Sequence, residues 1–173
     1  MKRTVLGVAM GLALMAGAAN AQSVKPFSIG ISGGMSVPTG DYSDFIKSGY
    51  NLSGMFEVKP AAFPVALRLE GQWQKFDAKG GEDANLRTLG VLANAVYYLP
   101  TPGIVKPYFT GGLGMMNGKV TGGESSTKFA FDLGAGVNFQ LTGITTFVEA
   151  NWQSIQTEGT AFRQFPIRVG VKF

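Results

Sequence analysis

The sequence predicts an all-β fold, an eight-stranded antiparallel up-and-down transmembrane β-barrel, and three observations predict it. Eight segments alternate bulky apolar residues with small or polar ones. The connections between them alternate short with long. The polar face is made of Gly, Ser, Thr, Asn and Gln rather than of charge. Successive side chains of a strand point to opposite faces, so a period of two gives each segment one greasy and one wet face. The clearest case is Phe129 to Gln140. Phe129, Phe131, Leu133, Ala135, Val137 and Phe139 interleave with Ala130, Asp132, Gly134, Gly136, Asn138 and Gln140. A helix would scatter those apolar residues around its circumference.

The chain begins with the three parts of a secretory leader. Lys2 and Arg3 give a positive start, Val5 to Ala18 is apolar or small, and Ala19-Asn20-Ala21 fits a small-x-small cleavage site. The apolar run falls short of the ~20 residues a spanning helix needs. Residues 1–21 are therefore expected to be removed, leaving 22–173 as one domain. With no cysteine in the chain, a lipid anchor after the cleavage site is excluded.

The first strand is expected over Phe27 to Val37, ended by Pro38, with Thr39 to Gly49 as a polar connection. Tyr50 to Val58 is the second strand and Lys59 to Pro64 a proline-tight turn. The third sets Val65, Leu67, Leu69, Gly71 and Trp73 against Ala66, Arg68, Glu70, Gln72 and Gln74. Phe76 to Asn85, containing Gly80-Gly81-Glu82-Asp83, is the next connection. The fourth, Leu86 to Leu99, is less regular, because Leu92 and Val96 fall on the wet face. Pro100 to Pro107 turns the chain into the fifth, around Tyr108 to Met115, and Asn117 to Lys128 is a third polar connection. After the sixth strand, Gly143 marks a turn. The seventh sets Thr146, Val148, Ala150 and Trp152 against Phe147, Glu149, Asn151 and Gln153. Ser154 to Arg163 connects it to the eighth, which ends in Phe165, Ile167, Val169, Val171 and Phe173. Strands of about ten residues match a tilted membrane-spanning strand. An even number lets the last pair with the first.

Which face meets water follows from composition. A soluble barrel would coat its exterior with charge. Here the greasy face carries no Asp, Glu or Lys within these segments, Arg87 at one strand end apart. Tyr50, Trp73, Tyr97, Trp152 and Phe173 sit near strand ends, where amphipathic rings favour a membrane interface. An exported chain without a spanning helix fits a membrane crossed by closed strands. The formal charge of +4 drops to 13 basic against 11 acidic residues once Lys2 and Arg3 are gone. No basic run or helix is present, so nucleic acid is not an expected partner.

Lys106-Pro107-Tyr108 leading into Gly112-Leu113-Gly114, Phe131 to Gly136, and the terminal Phe173 give the chain a resemblance. It resembles the eight-stranded outer-membrane β-barrel family of Gram-negative bacteria, the group around the OmpA membrane domain, OmpX and OmpW. The resemblance spans about Lys25 to Phe173 and implies a monomer in the outer membrane with both termini periplasmic and four longer loops outside. It also implies outer-membrane lipid and lipopolysaccharide as surroundings, and insertion machinery reading the strand that ends at Phe173. With no further domain after Phe173, the chain is more similar to OmpX than to full-length OmpA. The family includes adhesins, membrane stabilisers, small channels and a few enzymes.

The wet face places Glu57, Arg68, Glu70, Asp132, Glu149, Arg168 and Lys172 in the lumen, where buried charges must pair. Arg68 with Glu70 and a carboxylate from Glu57 or Asp132 is one expected group, Glu149 with Arg168 another. They form either a salt-bridge plug or a gated polar path. The barrel enzymes of the resembled group rely on histidine, and this chain has none. Without cysteine or histidine no cofactor or metal is expected. Neither Gly111-Gly112-Leu113-Gly114 nor Gly80-Gly81 precedes a helix, which excludes a phosphate cradle. Tyr42, Phe45, Phe76, Phe162 and Arg163 are expected on exposed loops, either as contacts for a host, phage or surface-sugar partner or as flexible solvated loop residues with no fixed partner. The function expected is structural and surface-interactive, with a small channel or a transporter of small or hydrophobic solutes as the alternative.

Overall fold

The computed structural model describes residues 26–60, 63–79, 85–157 and 161–173. Within them are β1 (Phe27–Thr39), β2 (Gly49–Val58), β3 (Val65–Asp77), β4 (Asn85–Tyr98), β5 (Val105–Val120), β6 (Ser125–Leu141), β7 (Ile144–Gln156) and β8 (Ala161–Lys172). Each strand is antiparallel to the next, and β8 returns to β1 to close the barrel. The seam runs in the register Ile31↔Val171 and Met35↔Ile167. At its end Phe173 N–H donates to the Ile29 carbonyl at 2.9 Å, and Ile29 N–H donates to the Phe173 carbonyl at 3.3 Å. Closure leaves no unpaired sheet edge. The end of the barrel near Pro26 and Phe173 is the terminal end, and the opposite one the distal end.

The phase read from the alternation is the phase observed in every strand. Ile31, Leu67, Leu89, Leu133 and Val169 are exposed on the outer surface, whereas Gln74, Glu149, Gln164 and Arg168 are buried inside. Leu92 and Val96, irregular in the sequence, keep step with β4 and point inward, fully buried. Glycines make the narrow interior possible by letting a large side chain of one strand lie across its neighbour. A Cβ on Gly134 would stand 2.6 Å from Asn151 Cγ, and one on Gly170 would stand 2.5 Å from the Phe147 ring. Gly143, with φ +82°, turns the tight β6–β7 hairpin in a conformation that side chains disfavour.

The strands outrun their expected limits at the distal end. Pro38 does not end β1, which continues along β8 through Pro38↔Gln164 and Thr39↔Arg163 after its pairing with β2 has stopped at Ser36↔Gly49. Proline is tolerated where one side of a strand has no partner. Asn117 to Lys128 is mostly strand: the ladder continues through Lys119↔Ser125, leaving only residues 121–124 as the turn. β3 likewise reaches Asp77, and β7 and β8 narrow the Ser154 to Arg163 connection. Beyond the apolar band a strand needs no greasy face, so the alternation fades while the backbone ladder persists. The leader, residues 1–21, and Gly80-Gly81-Glu82-Asp83 lie outside the described residues, as does the Tyr42 side chain.

Candidate functional site in the barrel lumen

The lumen is filled in layers. Nearest the terminal end, Tyr98 donates to Glu57 at 2.5 Å, and Lys172 Nζ donates to the Tyr98 hydroxyl at 2.9 Å while standing 3.6 Å from Glu57. Lys59 lies over the other part of this layer, 5.3 Å from the centre of the Tyr98 ring. The Tyr98 and Tyr108 rings are tilted against each other at 5.4 Å. Tyr108, packed with Ala66 and Val96, donates its hydroxyl to Glu149 at 2.7 Å.

The next layer is the charge network. Arg68 donates from Nε to Glu57 at 3.0 Å and from Nη1 to Glu149 at 2.6 Å. Arg168 donates to Glu70 through Nη1 and to Glu149 through Nη2. The two expected groups are therefore one, joined through Glu149, which accepts from both arginines and from Tyr108. Arg68 and Glu70 share a strand but stand 4.0 Å apart. Asp132 does not join: it accepts from Asn151 Nδ2 at 2.7 Å, so Glu57 rather than Asp132 supplies the carboxylate to Arg68. Each member is enclosed within the lumen. In that setting the attraction between paired charges and the added hydrogen bonds must together offset desolvation.

Toward the distal end lies a layer of glutamines. Gln72 Nε2 donates to Glu70 at 2.8 Å, Gln153 Nε2 to Gln72 at 3.0 Å, Gln74 Nε2 to Gln153 at 3.2 Å and Gln164 Nε2 to Gln74 at 2.8 Å. Thr88 adds a hydrogen bond to Gln74 at 3.1 Å. The bonds of Gln153 and Gln164 with Gln72 and Gln74 run between β3 and β7 or β8, so they cross the barrel instead of following its wall. Above them sits an apolar cluster of Phe76, Leu92, Met116, Ala130, Ile155 and Phe162, with Ile46 and Leu86 packed against it.

That cluster corrects the expectation that Phe76 and Phe162 are exposed loop residues. Both are buried inside the barrel, edge to face with ring centres 5.7 Å apart. Their inward positions follow from counting twos past the expected strand ends. Phe45 and Arg163 are exposed, Arg163 on β8 and not on a loop. The glutamine layer was visible only as inward positions, because strand parity does not say which opposite residues meet.

The five aromatics take outward positions at two levels. Tyr97 and Phe173 lie toward the terminal end, while Tyr50, Trp73 and Trp152 lie toward the distal end, Trp152 5.4 Å from Phe131. Outward charge on the described strands is confined to their distal parts: Lys75, Asp77, Arg87, Lys119 and Arg163. Lys75, Arg87 and Lys119 stand directly opposite one another on three adjacent strands. Among the described residues no group of three or more His, Asp or Glu could hold a metal ion.

A closed barrel that turns its apolar side chains outward and its charges inward is a membrane-spanning β-barrel. The chain belongs to the outer membrane protein β-barrel domain family, whose model matches residues 6–173. That membership places it in the outer membrane. It is similar in structure to Neisserial surface protein A, with TM-score 0.68, 17% identity, and coverage of 87% of this chain and 98% of that one. It is also similar to the outer-membrane protein Ail of Yersinia pestis, with TM-score 0.52, 17% identity, and coverage of 84% and 99%. A third likeness is to the outer-membrane enzyme PagL, with TM-score 0.55, 15% identity, and coverage of 83% and 97%. At these identities the likeness is one of fold. No curated protein matches the sequence.

Proposed function

We propose that the protein is a non-conducting, monomeric barrel that occupies and stabilises the outer membrane, with its termini on the periplasmic side and its distal connections displayed outside. One observation carries this reading: side chains of β3 grip β7 and β8 across the lumen at successive levels, through Arg68–Glu149, Glu70–Arg168 and Gln74–Gln164. In a ring of eight strands β3 and β7 face each other, so these bonds cross the interior and brace it. The carboxylates are engaged by arginine, lysine, tyrosine or asparagine, and the chain has no histidine, which favours a structural role over an enzymatic one. Surface interactions then fall to the distal connections.

The test is the current through purified wild-type protein in a planar bilayer. The expected trace stays at the baseline of the protein-free membrane. Discrete current steps from wild-type protein would replace this reading with the channel alternative. A barrel carrying Arg68→Ala, Glu149→Ala and Arg168→Ala together, with its fold checked by heat-modifiable gel mobility, is expected to open where the wild type is silent.

A further inference from the structure

We propose that the distal mouth of the lumen is a blind binding pocket for the alkyl tail of a single-chain amphiphile. The pocket measures about 400 Å³. Ile46, Leu86, Phe76, Met116, Ile155 and Phe162 line its depth, while Glu124 and Lys128 stand among the polar residues that share its lining. Above the packed Phe76, Met116, Ile155 and Phe162 the mouth keeps apolar wall open to water: inward Val120 is 48% exposed and Ile46 and Leu86 are half-buried, around a space within the range of small-molecule sites.

The lining also leaves room that the sequence could have filled. Gly118 faces the pocket, and a Cβ there would meet only Leu86 and Thr88, each at the ordinary contact distance of 3.9 Å. The floor is closed: Thr88 and Gln164 are hydrogen-bonded to Gln74 in the glutamine layer, so a tail that enters stops there. A tail-shaped ligand suits the walls better than a planar ring. Four of the six residues named are aliphatic or thioether side chains, Met116 the most adaptable of them, and the two phenylalanines already pack edge to face. Charged and polar groups beside the apolar depth suit a ligand that leaves a polar head in water.

Methionine methyls give the test its internal controls. Met116 lies in the pocket and Met55 is buried at another level of the lumen, while Met35 and Met115 face outward. Protein labelled with carbon-13 at the methionine methyl, held in phosphatidylcholine nanodiscs, is titrated with the alkanoate series from butanoate to decanoate. The expected result is a saturable shift of the Met116 methyl with Met55 unmoved. Affinity should rise by about fourfold per added methylene until the pocket is full and then level off. Gly118→Phe, which fills the opening, and Ile46→Asn, bridged to Ala78 outside the eight strands, should each weaken binding by at least tenfold while gel mobility reports a folded barrel. An unmoved Met116 methyl would make the cluster a seal and overturn the proposal. So would shifts at Met35 and Met115 equal to that at Met116, which report partition into the bilayer only. Saturation by benzyl alcohol without any dependence on chain length would overturn the alkyl assignment.

Discussion

Arg68 on β3 and Glu149 on β7 meet at 2.6 Å across the full width of the barrel, and neither has solvent-exposed side-chain surface. Removing one partner leaves the other charged and buried. Glu149→Gln is expected to cost about 3–5 kcal/mol of folding stability. Arg68→Met breaks the same pair from the other side, so Arg68→Met and Glu149→Gln together should cost less than the sum of the two single losses. Denaturant titration in lipid vesicles, read as a double-mutant cycle, checks both. Simple additivity of the two losses would contradict a shared network.

Val91, in the middle of β4, is 54% exposed, a position where a soluble protein would accept arginine at almost no cost. On a lipid-facing surface Val91→Arg should instead cost about 2–4 kcal/mol, and Val37→Arg, outward near the distal end of β1, about 1 kcal/mol or less. Equal small effects at both positions in the same vesicles would be incompatible with lipid at Val91.

Two glycines of similar setting in the sequence should respond oppositely to alanine. A Cβ on inward Gly114 collides with the Val91 carbonyl, a backbone atom fixed in the ladder, whereas one on outward Gly54 meets nothing within 4 Å. Gly114→Ala is expected to destabilise by about 1–3 kcal/mol. Gly54→Ala should be neutral or stabilising by up to about 1 kcal/mol. Refolding yield and unfolding midpoints of the two variants measure the difference.

Lys75, Arg87 and Lys119 form one row of cations, with Asp77 3.6 Å from Lys75. Like charges placed directly opposite repel, by roughly 0.2–1 kcal/mol per pair. In a zwitterionic bilayer at low salt Arg87→Gln should therefore stabilise the barrel slightly. In a bilayer rich in phosphorylated anionic lipid the sign should reverse. The same direction in both bilayers, measured by unfolding midpoint, would mean that lipid phosphate does not reach this row.

The two-residue period fixed inside and outside along every strand, and that much follows from the pleat alone. Leu92 and Val96 show where a simple wet-face rule gives out. They are inward residues of a lumen that is polar at its centre and apolar in patches, Leu92 in the distal cluster and Val96 beside Tyr108. Strand ends such as Val120 and Ser125 were not legible because hydrogen bonding outlasts the lipid-matched alternation. Parity placed Arg68 and Glu149 inside, but it could not bring them together. Their meeting depends on the stagger with which the ring closes, which no local pattern records. Phe76 and Phe162 needed only the count continued two residues further.

Ile29 and Phe173 share a pair of backbone hydrogen bonds, so the ring they seal has no first or last strand except in the order of its peptide bonds. A molecule of this kind can be cut at one hairpin and spliced at another without changing which neighbours touch. Joining Pro26 to Phe173 through a short glycine-serine bridge and opening the chain between Thr121 and Glu124 should rebuild the same cylinder from a rotated gene. What such a permutation would change is the order of assembly, since the pairing made last in the natural chain would become one available from the start.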